Sequence, residues 1–248
     1  MSLAHAFAPL VDLVYPPRCP LCGEGLAAQS GLCSSCWSEL VIPGSPCCAS
    51  CQRPFARDIP GGAMVCGPCL AEPPAHDGIA AATLYNDASR KLVLSFKYGH
   101  RISLAPMMAH QIAVRLPVLE GEWLLVPVPL HRGRLWRRGF NQAALLAREI
   151  AKRTSANLMV DGLLRHKATP TLGELGAKAR KRTLSGAIAA NPQRATALKG
   201  AQIILVDDVL TSGATSTACV RALKRVGARR VIVACFARVL DEALDIAG

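Results

Sequence analysis

The residues with the most chemical content form one run near the C-terminus: Ile203-Ile204-Leu205-Val206-Asp207-Asp208-Val209-Leu210-Thr211-Ser212-Gly213-Ala214-Thr215. Four apolar residues suit a buried strand, which delivers whatever follows to the carboxyl edge of a sheet, where ligands of open α/β sheets sit. Two carboxylates come first, Asp207 and Asp208. Thr211, Ser212, Gly213, Ala214 and Thr215 then bring hydroxyls, exposed amides and a tight backbone path to the start of a helix, which suits a phosphate. Carboxylates beside a bound phosphate repel it unless they face hydroxyls or a divalent cation. A phosphorylated sugar with vicinal hydroxyls meets both demands. No G-x-x-x-x-G-K-[ST] is present, nor the three glycines of a dinucleotide fingerprint.

The cysteines suggest a different chemistry. Cys19/Cys22, Cys33/Cys36, Cys48/Cys51 and Cys66/Cys69 are four C-x-x-C pairs. Two residues between sulfurs let both thiolates reach one ion, and tetrahedral Zn²⁺ takes two such pairs, so eight ligands fill two structural sites. The loop lengths favour a sequential pairing, Cys19/22/33/36 and then Cys48/51/66/69; a crossed pairing also satisfies the count. Zinc would stabilise a module too small to fold on its core alone. Cys47 is left over, and Cys219 and Cys235 occupy apolar positions of a helix and a strand, where a buried thiol is the ordinary reading.

The elements that must hold these residues are legible in the apolar pattern. The cysteine pairs stop at Glu72-Pro73-Pro74, which divides the chain into 1–75 and 76–248. In the second part, Ile79–Tyr85 reads as a strand, Ala88–Lys97 as a helix burying Leu92, Leu94 and Phe96, and Ile102–Leu116 as another helix. Trp123–Val128 is a short strand ending in prolines, and Gly139–Arg153 an amphipathic helix. Gln202–Val206, Thr215–Val226 and Arg230–Ala237 form a strand-loop-helix-strand unit with Gly227 as the helix stop. The polar stretch from His166 to Ser185 reads as a long functional loop. The fold class expected is α/β, a parallel sheet with flanking helices behind a small zinc-ribbon module.

Composition bounds the rest. The chain has 248 residues, 51% of them hydrophobic, and a net charge of +12, enough apolar content for a sizeable core. Between His131 and Arg153 seven Lys/Arg face one acid, Glu149; between Arg165 and Arg182 six face Glu174. Such segments serve a polyanion or are solvated faces. No apolar stretch is long enough to cross a membrane, and Met1–Tyr15 reads as a short amphipathic helix without the basic flank of an export signal. Cysteine pairs without that signal suit a reducing cytoplasm.

The 203–215 run resembles the thirteen-residue motif of type I phosphoribosyltransferases, which bind phosphoribosyl pyrophosphate (PRPP). The resemblance implies that Asp207 and Asp208 hold the ribose hydroxyls and that Thr211–Thr215 take the 5′-phosphate. A second anion pole for the pyrophosphate would come from Pro129, Leu130, His131 and Arg132 after Val126-Pro127-Val128, with Arg138 opening the Arg138-Gly139-Phe140-Asn141-Gln142 run.

A P-x-P loop, then R-G-F-N-Q, then the acid-led phosphate loop, behind C-x-x-C pairs, is similar to the ComF family of competence-associated proteins. Phe96-Lys97-Tyr98-Gly99 and Arg180-Lys181-Arg182 look like family features too, whereas Leu172 and Thr183 depart from it. The resemblance implies displacement of pyrophosphate from ribose C1 by an unknown acceptor, assisted by Mg²⁺, with Arg132 or Arg138 helping the leaving group and the 166–185 loop closing over it. It equally fits a non-catalytic PRPP sensor or a single-stranded-DNA-binding factor in DNA uptake, working with other uptake proteins. A plain zinc-ribbon interaction module with a degenerate sugar-phosphate fold is a third reading.

Overall fold

The computed structural model describes residues 15–28, 31–55, 64–99, 101–167 and 186–240. After two short helices of the cysteine module, α1 (Ser34–Ser38) and α2 (Gly67–Ala71), the chain enters the sheet at β1 (Ile79–Leu84). Helix α3 (Asp87–Tyr98), a 3₁₀ turn (Ile102–Leu104) and α4 (Ala105–Ala113) lead to β2 (Trp123–Pro127). Helices α5 (Arg132–Arg138) and α6 (Gln142–Ala151) and the short β3 (Asn157–Leu158) follow. Then come β4 (Leu163–Arg165), β5 (Ile188–Ala190), α7 (Ala195–Leu198), β6 (Gln202–Leu210), α8 (Ala214–Arg225) and β7 (Arg230–Arg238). The main sheet has five strands in the order β1-β7-β6-β2-β3, all parallel. Strands β4 and β5 pair antiparallel beside it.

Local chemistry accounts for the helix that matters most to the site. Asn86 caps α3: its side chain accepts from the Ser89 amide at 3.0 Å, while Ser89 Oγ accepts from the Asn86 amide at 2.8 Å. Leu92 and Phe96 recur four residues apart and are fully buried, each such burial contributing about 1.5–3 kcal/mol. Gly99 is the C-cap of the helix, and the close approach there needs glycine, since a Cβ would lie 2.7 Å from the Ser95 carbonyl oxygen. Leu94, expected in the core, is 38% exposed instead: it sits on the opposite face from Leu92 and Phe96.

The central strands are apolar on both faces, as a parallel sheet covered on both sides requires. One face, with Ala80, Leu125, Ile204, Val206, Ile232 and Phe236, is covered by α3, α4 and α6. The other, with Ile79, Val126, Ile203, Leu205 and Val233, is covered by α8. The cysteine module divides itself between the two. Leu21, Leu32, Trp37 and Leu40 of its first half join the first face, whereas Cys48, Cys51 and Cys66 of its second half join the other. Between them it closes the edge of β1: the Leu84 amide donates to the Val41 carbonyl at 2.7 Å and the Ala81 amide to Gln52 Oε1 at 2.9 Å. A sheet edge with unpaired amides is a template for foreign strands, and here the ribbons occupy it.

Three features differ from the pattern reading. Strand β6 runs on to Leu210 instead of stopping at Val206, because β7 keeps pairing with it as far as Arg238. An additional helix, α5, precedes α6, and Phe140 lies outside both. The residues flanking the expected long loop meet in the β4/β5 ladder, with Arg165 opposite Ile188. Residues 168–185 lie outside the described residues, as do residues 1–14 of the helix expected over Met1–Tyr15.

Candidate functional site

The two loops singled out in the sequence emerge side by side. Strand β2 pairs with β6 only as far as Pro127 opposite Val206, and one further bond, from the Val128 amide to the Val206 carbonyl at 2.9 Å, ends the ladder. Beyond it β6 continues through Asp207 to Leu210 paired with β7 alone, and the chain leaves β2 toward α6 on one face but β6 toward α8 on the other, the place where open α/β sheets form a cleft.

Because both acids still belong to a strand, their side chains alternate between faces. Asp208 is 6% exposed and points to the α3 face, where Lys97 Nζ lies 3.1 Å from its Oδ1. Asp207 is half-buried, and its Oδ1 accepts from the Asp208 amide at 2.9 Å. Burial, then the neighbouring Asp208 charge, push the Asp207 carboxyl up to about 7, against the pull of Lys97. Its charge also reaches the buried thiols of Cys219 and Cys235, each pushed up chiefly by burial. These two cysteines are inert core residues.

The loop expected to take a phosphate follows. Gly213 takes a left-handed φ of +70° as the N-cap of α8, and its own carbonyl accepts from the Thr217 amide at 2.7 Å and from Ser216 Oγ at 2.9 Å. Among the described residues, the amides of Thr211 to Thr215 donate to no backbone or side-chain acceptor. They stand at the positive end of a helix of 12 residues.

Across the cleft, Pro129 is buried and Leu130 half-buried. His131 is the N-cap of α5, its Nδ1 accepting from the Gly133 amide at 3.2 Å. Arg132 is exposed. Arg138 is held: it donates to Gln142 Oε1 and to the Tyr98 hydroxyl, both at 3.1 Å, and lies over the Tyr98 ring at 5.0 Å. Asn141 ties this side together, capping α6 through the Ala143 amide at 3.0 Å and donating to the Val128 carbonyl at 3.1 Å.

The last turn of α3 bridges the two sides, and the sequence did not assign it a role in the site. Lys97 meets Asp208, Tyr98 meets Arg138, and the Phe96 ring lies 6.1 Å from that of Phe140. The F-K-Y-G run was the available signal. A cavity of about 1070 Å³ lies elsewhere, against Trp123, Gln202 and Arg230 at the amino ends of the strands.

The cysteine pairs gather sequentially: Cys19, Cys22, Cys33 and Cys36 in one group and Cys48, Cys51, Cys66 and Cys69 in the other, every sulfur within 4.8 Å of the rest of its group. Tetrahedral zinc with bonds of about 2.3 Å sets sulfurs about 3.8 Å apart, close to the 3.5 Å of Cys22 to Cys33 and Cys51 to Cys66. Backbone amides favour the thiolate at one cysteine of each set, Cys19 and Cys48. Burial opposes ionisation of Cys48, yet the amides of Cys66, Cys51 and Ser50 bring it down to about 6. Both sets fit structural zinc. Cys47 stays outside them, in a bridge with Pro54.

A double zinc ribbon domain model matches residues 10–70 and a phosphoribosyl transferase domain model residues 137–247. The DNA utilization protein YhgH of Salmonella typhimurium is 32% identical over 92% of this chain and 100% of its own length. Competence protein F of Haemophilus influenzae is 29% identical over 89% of this chain and 96% of its own. The chain belongs to the ComF family. Among solved structures, the allosteric regulatory enzyme of purine biosynthesis aligns with 58% of this ComF protein and 30% of its own chain at 17% identity and a TM-score of 0.38, too distant to carry an argument. The ComF chain therefore pairs a double zinc ribbon with a phosphoribosyltransferase-like domain. Among the described residues, no helix is long and apolar enough to cross a membrane.

Proposed function

We propose that this ComF protein binds PRPP with Mg²⁺ in the cleft between β2 and β6 and transfers its phosphoribosyl group to an acceptor, in the service of DNA uptake or use. The observation that carries the reading is the row of uncommitted amides at Thr211–Thr215, directly after two carboxylates on one strand. In this reading the amides and hydroxyls of that loop grip the 5′-phosphate, while Asp207 and Asp208 accept from the ribose hydroxyls. The pyrophosphate lies toward Pro129–Arg132. Arg138, pre-positioned by Tyr98 and Gln142, offers it a fixed guanidinium.

The bond from ribose C1 to the pyrophosphate oxygen breaks with its electron pair on pyrophosphate. The acceptor's lone pair forms the new bond to C1 and the acceptor gives up a proton. Mg²⁺, for which the hard oxygens of Asp207 and Asp208 are suitable ligands, neutralises the departing charge when bound. The ribbons' thiolates favour a reducing compartment, so this reading sets the activity in the cytoplasm. It also takes 1–75 as the ribbon unit and 76–248 as the transferase-like unit.

Calorimetric titration with PRPP and Mg²⁺ tests it. Saturable binding that disappears in Asp207→Asn/Asp208→Asn is expected, and pyrophosphate exchange into PRPP would add catalysis. Wild-type protein that takes up no PRPP would sink the assignment.

A second reading has its own observation. Trp136 on α5 is 90% exposed, with Arg132, Arg134 and Arg137 on the same short helix and Tyr98 62% exposed beside Arg138. Stacking rings among cations suit single-stranded DNA, in keeping with the names of the relatives. The two readings are compatible, since α5 borders the cleft without filling it.

A further inference from the structure

A second cavity, of about 290 Å³, lies where the second zinc ribbon, the 72–76 linker, α8 and the end of β7 meet the phosphate loop. Of the residues assigned to PRPP it shares Thr211, Ser212 and Gly213; neither carboxylate lines it. Its wall is cationic. Arg53 comes from the ribbon, His76 from the linker, Arg221 from α8 and Arg238 from β7, with Glu72 as the carboxylate among the lining residues. Two buried atoms there, Arg238 Nη1 and His76 Nδ1, have no hydrogen-bond partner. Buried polar atoms of this kind are costly unless something satisfies them. Burial, then the Arg238 charge, hold the His76 imidazole down at about 4, so it stands uncharged beside Arg238 in the cavity wall.

The size selects among anions. A cavity at the small end of ligand pockets holds a phosphate group with little attached to it and excludes a nucleic-acid strand. We propose that it is a second phosphate site, taking inorganic phosphate or the phosphate of a small phosphomonoester, held by Arg238, Arg221 and His76, with Thr211 and Ser212 at its border with the PRPP loop. Because Thr211–Gly213 belong to both sites, its occupant links the ribbon to the PRPP loop; that linkage, though not the site itself, rests on the reading of the cleft given above. A competing role for the arginines is to balance the negative charge of the zinc thiolates, since Cys51 lines the same wall.

Zinc-loaded full-length protein is titrated with inorganic phosphate by calorimetry in saturating PRPP and Mg²⁺, alongside Arg221→Gln, Arg238→Gln and Thr215→Val. Wild type is expected to bind one phosphate that PRPP does not displace. Each arginine variant should weaken it about tenfold or more with zinc content unchanged, and Thr215→Val should leave it intact. Competition by glycerol 3-phosphate would identify a phosphomonoester site, and its absence a site for the free ion. The proposal is overturned if PRPP displaces all phosphate, if the arginine variants bind phosphate as wild type does, or if they lose zinc while phosphate binding is unchanged. Should PRPP fail to bind at all, the same titration without it still decides: cavity occupancy must respond to Arg221 and not to Thr215.

Discussion

Lys97 Nζ lies 3.1 Å from Asp208 Oδ1, so the last turn of α3 supplies the counter-charge for an acid buried at the end of β6. A carboxylate with 6% exposure needs such a partner. The same cation lowers the neighbouring Asp207, whose carboxyl is otherwise pushed up by burial and by Asp208. Removing it in Lys97→Gln should shift the pH midpoint of PRPP binding upward relative to wild type, read from affinities measured across neutral pH. An unchanged midpoint would show that Lys97 does not tune the acid pair.

Asp207 should make PRPP binding pH-dependent. With its carboxyl near 7 in the free protein, ligand hydroxyls that require the ionised form bind better as pH rises through neutrality, and binding releases a proton. Calorimetry in two buffers of different ionisation enthalpy should detect that proton, and Asp207→Asn should abolish it. The stability of the free protein has the opposite sign. Between the ordinary carboxylate range and about 7 the folded state retains a proton the unfolded chain has lost, so this group's contribution falls as pH rises through that window.

Gly213 gives a backbone test. Its φ of +70° penalises any Cβ, although the nearest atom to such a Cβ would be Ser216 Oγ at 3.7 Å, so space is not the obstacle. Gly213→Ala should lower unfolding free energy by about 1–2 kcal/mol and weaken PRPP binding by re-aiming the loop amides. Denaturant titration measures the first effect and calorimetry the second.

Trp136 separates the two readings of function. Trp136→Ala should reduce single-stranded DNA affinity by about 1–3 kcal/mol while PRPP binding and zinc content stay at wild-type levels. The remaining DNA affinity should fall steeply with salt. Equal DNA binding by variant and wild type would remove the aromatic patch from consideration.

Zinc removal should be felt at the sheet. A strong chelator is expected to speed hydrogen exchange at the Ala81 and Leu84 amides about tenfold or more, since Gln52 and Val41 accept from them only while the ribbons are folded. Amides in the middle of β6 should respond less. Unchanged exchange at Ala81 and Leu84 would mean that the ribbons keep their place without metal.

Much of this was legible in the residues. The strands at Ile79, Trp123 and Arg230 stood out because strands of a parallel sheet covered on both faces are short unbroken apolar runs, and the sequential cysteine grouping was the one the loop lengths favoured. Helix α5 did not stand out: Arg132–Arg138 has no buried residue, so it carries no apolar stripe. The β4/β5 ladder escaped because three-residue strands are too short to show alternation. The reach of β6 to Leu210 was set by pairing with β7, which no local pattern records. Lys97 and Tyr98 escaped for a related reason: their partners lie 111 and 40 residues away, Asp208 and Arg138, and a lysine on a helix looks the same whether or not an acid awaits it.

The way the cysteine module straddles β1 has a consequence for the protein's fate in the cell. The ribbons stand where another fold would place a further strand and a covering helix, so metal starvation does more than silence an accessory module. It leaves an apolar, adhesive border of sheet exposed to any neighbouring chain, and a zinc-poor cell should find this protein in aggregates rather than in a dormant reserve.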